Sequence, residues 1–513
     1  MGFTDRKTPS ASVLVSDYVQ PLAAIFEKVG VEVLPCSPLT PEHGHSRKDS
    51  SPYETGSMTE TAMQDLVVHG DIALADGTVL RDGWLGITNG LITGTSATPL
   101  SGKQIVRASG HLILPGFVDA HVHTRSCVDE GITATTRAAA AGGTTTIVDM
   151  PFDKPARPVN SLERFKSKVA DIGDKAIVDV GLYATFPPKG DLDMIAAMAE
   201  AGAVGFKVST IEVDPVRFPR IPDGRLYEAF QEIANTDRPV TAHQENQEII
   251  LTQAEAFQSR AHNTPIDHAL SRPPVAEAEA AGRLLELAYW TGVHLHMVHG
   301  TLPRTFELIE WNRSQGVQAS GETCIQYLLL NMDALREQGG RMKCNPPLRS
   351  QEDVEGLWEQ VSSGLVDIVT SDHSPYPLHQ KECEDIFEAY AGMPGVETLG
   401  TLLYSEGVTT GRIGLTRFLE LVSSGPADLF GFGQKGRLQE GADGDFVIFD
   451  PNVEWTLDEN AMHYAVEWSP YHGWPLRGRV VSTWLRGHLI ANNGEVIGKP
   501  GIGQFTSPTQ DSI

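Results

Sequence analysis

Residues 112–125 read LILPGFVDAHVHTR, and the rest of the chain is organised around this stretch. An apolar run leads through a Pro-Gly pair into a short predicted strand that carries Asp119, His121 and His123. Because side chains alternate along a strand with period two, both imidazoles lie on the same face. Two imidazoles on one face at a strand end suit a divalent metal ion. A single His-x-His is weak evidence, so the metal prediction depends on further ligands elsewhere in the chain.

The composition describes a large globular protein. The chain has 513 residues, which is long for one ordinary domain but natural for a barrel with a smaller domain attached. A formal net charge of −26 argues against nucleic acid or an anionic membrane as the main partner. It does not exclude a small-molecule substrate. The five cysteines form no Cys-x-x-Cys pair, and no apolar run is long enough to span a membrane. We therefore expect a cytoplasmic protein.

The predicted elements divide the chain into a central barrel and two flanking β-rich parts. Short strands are predicted over residues 58–114, with an Asn-Gly hairpin signal at 89–90, and the same pattern of short strands occurs again over residues 438–500. Strands and amphipathic helices alternate between them. We expect an α/β fold, with a (β/α)₈ TIM barrel over residues 115–437 and a small β-sandwich built from both ends of the chain.

Eight apolar strand candidates carry the barrel prediction. They lie at residues 118–123, 145–150, 176–183, 203–209, 239–244, 293–299, 317–322 and 366–372. One intervening helix is predicted to begin at the N-cap residue Ser161, and another to end at Gly292. Eight such units over about 250 residues fit a barrel whose active site lies at the C-terminal ends of the strands.

Two terminal segments fall outside these domains. Residues 1–57 are predicted to form strand, helix and strand, the last within VEVLPC at residues 31–36, followed by a Pro- and Ser-rich stretch. We expect this part to be an N-terminal extension and linker that is dispensable for function. Residues 501–513 are predicted to be a tail.

Polar residues follow the apolar runs of several predicted barrel strands, at the end where catalysis is expected. They are His121, His123, Lys207, His243, His299 and Asp372. Taken alone, each histidine is better explained as a hydrogen-bonded core residue. Their shared position at the C-terminal ends of strands one, four, five, six and eight argues against coincidence and predicts one metal site.

Longer motifs around these residues resemble those of the cyclic amidohydrolases, the family of dihydroorotase, allantoinase, hydantoinase and dihydropyrimidinase. They are PGFVDAHVHTR, GFKVST, TAHQEN, HMVHG, GETCIQYLLL, NPPLRSQEDVEGLW and SDHSPYP. The resemblance extends over about residues 64–500. It implies two divalent metal ions, usually zinc, bridged by a lysine that is carboxylated on its amine.

The resemblance also implies a role for each residue of the constellation. The four histidines bind the two ions in pairs, the first two in chain order on one ion and the last two on the other. Lys207 is the carbamate bridge, since a free ammonium would repel two dications. Asp372 is both a metal ligand and the general base that takes a proton from the hydroxide and passes it to the departing nitrogen.

The motifs do not determine which cyclic amide is the substrate. Arg125 matches the His-x-His-x-Arg of dihydroorotases, where the arginine grips a carboxylate, but the next segment lacks their Glu-Pro-Gly, so a structural ion pair explains Arg125 equally well. GETCIQYLLL is hydantoinase-like, whereas KVSTIE lacks the tyrosine that hydantoinases place there. GFKVST, SDHSPYP and GMPGVETLG resemble allantoinase. We expect Asn345, and backbone near Gly395, to contact the substrate amide.

The sequence thus predicts a hydrolase that opens a cyclic amide or ureide ring at a C–N bond. Allantoin is the first candidate, and a hydantoin, a dihydropyrimidine or dihydroorotate is the alternative. A rival of another class is a catalytically inactive homologue that acts as a binding or assembly partner, and the complete ligand set argues against it. A mononuclear deaminase of the wider superfamily would not need Lys207. The expected partners are a small cyclic amide and further copies of the chain, in a dimer or tetramer.

Overall fold

The computed structural model of the protein describes residues 32–35, 63–127, 130–260 and 263–509. Within these ranges the strands form one nine-stranded sheet, the two parts of a barrel sheet and a short hairpin. Both predicted domains, the sandwich and the barrel, are present.

The nine-stranded sheet joins the two ends of the chain. Its strands, apart from one near the N-terminus, are Gln64–Ala73, Val79–Thr88, Leu91–Ser96, Gly102–Pro115, Phe446–Thr456, Pro475–Leu485, His488–Asn492 and Glu495–Val496. The long strand Gly102–Pro115 pairs in parallel with Gln64–Ala73 and antiparallel with Phe446–Thr456. Alternate side chains of these strands, among them Val68, Ile87 and Ile448, form a core separate from that of the barrel. The prediction of a sandwich built from both chain ends is confirmed.

The predicted Asn-Gly hairpin is confirmed as well. Asn89 and Gly90 connect Val79–Thr88 to Leu91–Ser96 with φ values of 53° and 80°. Two consecutive left-handed residues are what a tight two-residue hairpin turn requires, and asparagine and glycine reach that conformation at the lowest cost.

One short strand of the N-terminal extension belongs to this sheet. Glu32–Pro35 pairs antiparallel with residues 104–107 of the strand Gly102–Pro115. This is the strand predicted at residues 31–36. The other predicted elements of residues 1–57 lie outside the described residues.

The barrel contains all eight predicted strands. They are Phe117–Val122, Thr144–Asp149, Asp179–Leu182, Phe206–Ser209, Val240–His243, Leu295–Met297, Ala319–Cys324 and Ile368–Thr370. All their pairings are parallel. Single bridges from Ala184 to Phe206 and from Val122 to His373 join strand three to strand four and strand eight to strand one, so the barrel closes.

Helices cover the outside of the barrel. In chain order they are Ile132–Ala141, Leu162–Lys175, Met194–Glu200, Asp223–Ala234, Pro274–Thr291, Pro303–Ser314, Gln351–Ser363, and the consecutive turns Leu415–Leu419, Glu420–Ser424 and Gly425–Leu429. The predicted helix ends are confirmed: the Ser161 side chain accepts a hydrogen bond from the Arg164 amide, and Gly292 ends its helix in the left-handed conformation. Among the described helices, none combines the length and the apolar character needed to cross a bilayer.

Further short helices lie in the loops. They are Gln247–Gln258, Pro265–Leu270, Ile325–Leu329, Met332–Gln338, Gly339–Met342, Leu378–Lys381, Leu399–Leu403, Tyr404–Val408 and Glu459–Ala461. Residues 501–509, the described part of the predicted tail, run beside the third barrel strand. The Val180 amide donates to the Gln504 carbonyl at 2.9 Å, and the Thr506 amide donates to the Val180 carbonyl at 3.0 Å.

A buried ion cluster fastens the sandwich to the barrel. The ammonium of Lys435 lies 2.5 Å from Asp179 of the third barrel strand, 2.6 Å from Asp443 and 2.8 Å from Asp445. Arg486 pairs with Asp179 from the sandwich side. The three carboxylates would repel one another without these cations, so the cluster depends on Lys435.

We expect Lys435→Met to lower the free energy of unfolding by about 3–5 kcal/mol, because it leaves buried carboxylates without their cation. Denaturant unfolding of the variant measures this change. The matched control is Lys103→Met, since Lys103 pairs with Asp65 at 2.6 Å but its side chain is 66% exposed. The control is expected to change stability by less than about 1 kcal/mol. Equal stability of the two variants would contradict the proposed role of the cluster.

Candidate metal centre

One cavity at the C-terminal mouth of the barrel brings together all six residues that the sequence singles out. They are His121, His123, Lys207, His243, His299 and Asp372. The cavity has a volume of about 530 Å³. Five of the six lie at the C-terminal end of their strand or within two residues after it, and Lys207 is the second residue of the four-residue strand four. The parallel barrel therefore explains why residues so distant in sequence meet.

The first group of potential ligands comes from strands one and eight. Asp372 Oδ1 lies 3.2 Å from His121 Nε2 and 3.5 Å from His123 Nε2. One ligand atom from each of the three residues lies within 4.8 Å of the others. Two imidazoles and a carboxylate at these separations form a suitable donor set for a divalent metal ion.

The second group comes from strands five and six. His243 Nδ1 and His299 Nε2 face each other at 3.0 Å. Two nitrogens bound to one tetrahedral zinc at about 2.0–2.1 Å would themselves be about 3.3 Å apart. The observed spacing therefore fits a shared ion with only a small adjustment.

Lys207 lies on strand four, and its ammonium has no hydrogen-bond partner among the described residues. The side chain is almost completely buried, and this burial lowers its pKa to about 8. The charge of Lys207 lowers the pKa of His123 and of His243, one histidine of each group, so its amine lies close to both groups. A buried amine without a partner is costly, so its position between the two groups indicates a bound species that satisfies it.

Two of the candidate ligands are held in an unusual backbone conformation. His299 has φ 41° and Asp372 has φ 44°, both in the left-handed region that side chains other than glycine rarely adopt. Such conformations cost about 1–3 kcal/mol each and persist where the surrounding structure enforces them. Here the turn after each strand directs the side chain into the cavity.

A buried carboxylate that the sequence analysis missed orients the first group. Glu322, at the end of strand seven, accepts from His121 Nδ1, from His296 Nε2 at 3.2 Å and from the His299 amide at 3.2 Å. Burial favours the neutral acid, but the adjacent histidines outweigh it and hold the pKa of Glu322 well below its usual range. This bond leaves Nε2 of His121 free to face the cavity. An acidic residue at the end of the predicted seventh strand was the available signal.

A second missed pair orients the other group. Glu245 accepts a hydrogen bond from His243 Nε2 at 2.8 Å and forms an ion pair with Arg272. Burial opposes ionisation of Glu245, but the Arg272 charge and His243 lower its pKa to about 2. His243 therefore presents Nδ1 to the cavity. The carboxylate two residues beyond His243 in TAHQEN was the signal.

Burial also lowers the pKa of three of the candidate histidine ligands. The pKa of His123 falls to about 4, and those of His243 and His299 fall below their ordinary values for the same reason. Neutral imidazoles are the form that binds a metal ion, so the lowered pKa of these three side chains favours metal binding at neutral pH.

Two buried lysines that the sequence analysis did not identify support one wall of the cavity. Lys343 donates to the carbonyls of Ile386, Phe387 and Ala389 at 2.5–3.3 Å. Lys381 donates to three further carbonyls, of residues 343, 390 and 392, at 2.7–2.9 Å. These bonds hold the segment of residues 386–392 against the site.

Of the three residues predicted to contact the substrate, one lines the cavity and two do not. Asn345 lines the cavity, and its buried side-chain oxygen has no hydrogen-bond partner in the part of the chain that the structure describes. Arg125 and Gly395 are not among the residues that line the cavity. The Gly395 amide donates instead to His373 Nδ1 at 3.1 Å. The substrate contacts expected of Arg125 and Gly395 stay predictions.

Comparison with known proteins places the chain in a family. Residues 112–490 match the model of the amidohydrolase family. An allantoinase from Rubrobacter xylanophilus is 38% identical over 454 residues, which cover 87% of this chain and 98% of that protein. An L-hydantoinase from Paenarthrobacter aurescens is 34% identical, over 82% of this chain and 93% of that protein.

Solved structures give the same answer. The L-hydantoinase (dihydropyrimidinase) from Arthrobacter aurescens superposes with a TM-score of 0.83 at 34% identity, over 87% of this chain and 100% of that one. A D-hydantoinase superposes with a TM-score of 0.80 at 30% identity, over 86% and 98% of the two chains. The resemblance inferred from the motifs is confirmed, and the chain belongs to the amidohydrolase family.

Proposed function

We propose that this protein hydrolyses a ring C–N bond of a cyclic ureide, with allantoin as the first candidate substrate and a hydantoin or dihydropyrimidine as the second. The observation that carries the proposal is the convergence of four histidines, a lysine and an aspartate on one cavity at the barrel mouth. Two relatives that this chain matches over more than nine-tenths of their length are named allantoinase and L-hydantoinase.

The donor set fits two divalent metal ions, and we propose zinc. His121 and His123 would hold one ion, His243 and His299 the other, and Asp372 would complete the first group. The unpaired amine of Lys207 fits a carbamate, which would bridge the ions and satisfy a buried nitrogen that has no partner among the described residues. Burial lowers the pKa of this amine to about 8, which increases the neutral fraction that can react with carbon dioxide.

The ions, when bound, would supply an activated water and polarise the amide carbonyl. The chain supplies the proton transfer. Asp372 would accept a proton from the attacking water and deliver it to the nitrogen that leaves when the ring C–N bond breaks. The buried side-chain oxygen of Asn345 would accept a hydrogen bond from a ring N–H, because it has no other partner among the described residues.

We also propose that the chain acts in the cytoplasm as a homo-oligomer, a dimer or a tetramer. Large aromatic side chains lie exposed on the outer helices Pro274–Thr291 and Pro303–Ser314, with Trp290 69% and Trp311 61% exposed. Exposed aromatic residues of this size are typical of surfaces that are covered in an assembly. The reading as a catalytically inactive homologue finds no support, because the cavity retains the complete donor set.

The experiment combines metal analysis with ring-opening assays. The protein is loaded with zinc, desalted and assayed on allantoin, hydantoin, dihydrouracil and dihydroorotate. We expect about two metal ions per chain and the highest kcat/KM on allantoin. Highest activity on hydantoin or dihydrouracil would favour the second candidate. Two bound ions with no turnover of any ring would contradict the proposal, and one ion per chain would contradict the binuclear site.

A further inference from the structure

Lys154 brings an ammonium to the cavity, where no described carboxylate lies within ion-pair distance of it. It follows the second barrel strand in a short hairpin, Phe152–Asp153 with Arg157–Pro158, and it lines the cavity. Its Nζ lies 4.6 Å from the ring centroid of Tyr376 and 4.3 Å from that of Tyr390. No ion pair within 4.0 Å involves Lys154 among the described residues. The aromatic rings therefore hold the amine in place, and no group among the described residues accepts a hydrogen bond from its Nζ.

Arg217 reaches the same region from the loop after strand four, the strand that carries Lys207. One of its terminal nitrogens donates to the Phe152 carbonyl at 2.9 Å, and its Nε is buried with no partner among the described residues. Phe218 stacks on Phe152 with ring centroids 3.8 Å apart. The two loops are thus locked together, and they bring two cations to one side of the cavity.

No acidic side chain among the described residues forms an ion pair with Lys154 or Arg217, although the negative charge of Asp214 acts on both cations. Asp214 accepts hydrogen bonds from the backbone amides of Val216 and Arg217 at 3.0 Å and 2.7 Å, and so is committed to its own loop. Glu212 lines the cavity but forms no ion pair among the described residues. Half-burial and then the charge of Arg217 lower the pKa of Lys154, and the opposing charge of Asp214 offsets this only in part.

We propose that Lys154 and Arg217 form a subsite for a planar, oxygen-bearing substituent on the substrate ring. This inference rests on the proposed ring hydrolysis and narrows its substrate class. A ureido oxygen or a carboxylate would accept hydrogen bonds from both cations, while its flat face would lie beside the tyrosines. An apolar substituent would remove water from the two cations without offering them a hydrogen-bond acceptor, and this cost would weaken binding of such a substrate.

The test compares four ring substrates on the zinc-loaded protein and on Lys154→Met and Arg217→Met. The substrates are allantoin, which carries a ureido group, hydantoin-5-acetate, which carries a carboxylate, 5-benzylhydantoin and unsubstituted hydantoin. Of allantoin and hydantoin-5-acetate, the natural protein is expected to prefer one, and each variant should lose about 10- to 100-fold in kcat/KM on that substrate. On 5-benzylhydantoin and unsubstituted hydantoin, the loss should be less than about 3-fold. The preference between the first two substrates identifies the substituent.

The matched control is Arg157→Met, in the same hairpin as Lys154 but exposed and outside the cavity lining, and it should leave every rate unchanged. Equal losses on all four rings, or none on any, would overturn the subsite. If the natural protein opens no ring, the proposed hydrolysis fails, and calorimetric binding of hydantoin-5-acetate then decides the subsite. Binding that is weakened about tenfold in either variant supports it, and unchanged binding overturns it.

Discussion

Lys207→Ala is expected to abolish tight binding of the metal pair and to slow turnover by several orders of magnitude. The reason is charge. Two dications in one partly desolvated cavity repel each other strongly, and a carbamate on Lys207 would place an anion between them. The Lys207 amine is well placed for this role, because it is buried among the histidines and has no partner within the described residues.

Metal analysis after desalting measures the first effect, independently of activity, and ring-opening assays measure the second. The control is Lys343→Met, which also removes a buried lysine from the cavity wall. Its ammonium is bound to backbone carbonyls and faces none of the proposed metal ligands, so this variant should retain both ions. A short carboxylic acid in solution is expected to restore part of the activity of Lys207→Ala. Full metal content together with near-normal turnover in Lys207→Ala would refute the binuclear carbamate site.

The architecture could be predicted because it depends on short-range patterns. The apolar strands and amphipathic helices repeat often enough to identify the barrel, and the turn at Asn89 and Gly90 is specified by those two residues. The site followed from the fold. In a parallel barrel, residues at the C-terminal ends of different strands must meet, so the cluster could be inferred without any knowledge of distances.

The supporting residues could not be predicted in the same way. Glu322 and His121 are separated by 201 residues, and nothing local in either segment indicates their hydrogen bond. The hydrogen bonds of Lys343 and Lys381 to the described residues all go to backbone carbonyls, which any sequence would provide. Buried charges of this kind depend on how the loops fold over the barrel, and alternation or strand position does not encode that.

Arg125 shows where a local pattern stops being informative. The first barrel strand ends at Val122, and the chain turns at residues 124 and 125. The alternation that directs His121 towards the cavity no longer applies beyond that turn. Lys154 and Arg217 do line the cavity, but they follow the barrel strands in segments without a strong strand pattern. Their position depends on the stacking of Phe218 on Phe152, which the sequence alone does not predict.

Asp372→Asn is expected to lower kcat by about 10²- to 10⁴-fold, the usual contribution of general acid–base catalysis. Burial favours the neutral acid, but the neighbouring His121 and His123 keep the pKa of Asp372 below its usual range, so the natural side chain is a carboxylate at neutral pH. The amide keeps the size and shape of the side chain but can neither accept the proton of the attacking water nor deliver it to the leaving nitrogen. Substrate binding should be affected less than turnover, so the loss should appear mainly in kcat.

The same strand provides the control for this substitution. Asp367 stands five residues earlier, at the opposite end of the eighth barrel strand, where it binds Arg313 at 2.5 Å and the Gly321 amide at 2.7 Å. Asp367→Asn therefore removes a carboxylate of the same strand without touching the cavity, and we expect it to affect stability while kcat stays within about threefold of the natural value. Equal losses of kcat in both variants would show that the effect of Asp372→Asn is structural. A near-normal kcat in Asp372→Asn would remove this residue from the proton transfer and require another base in the cavity.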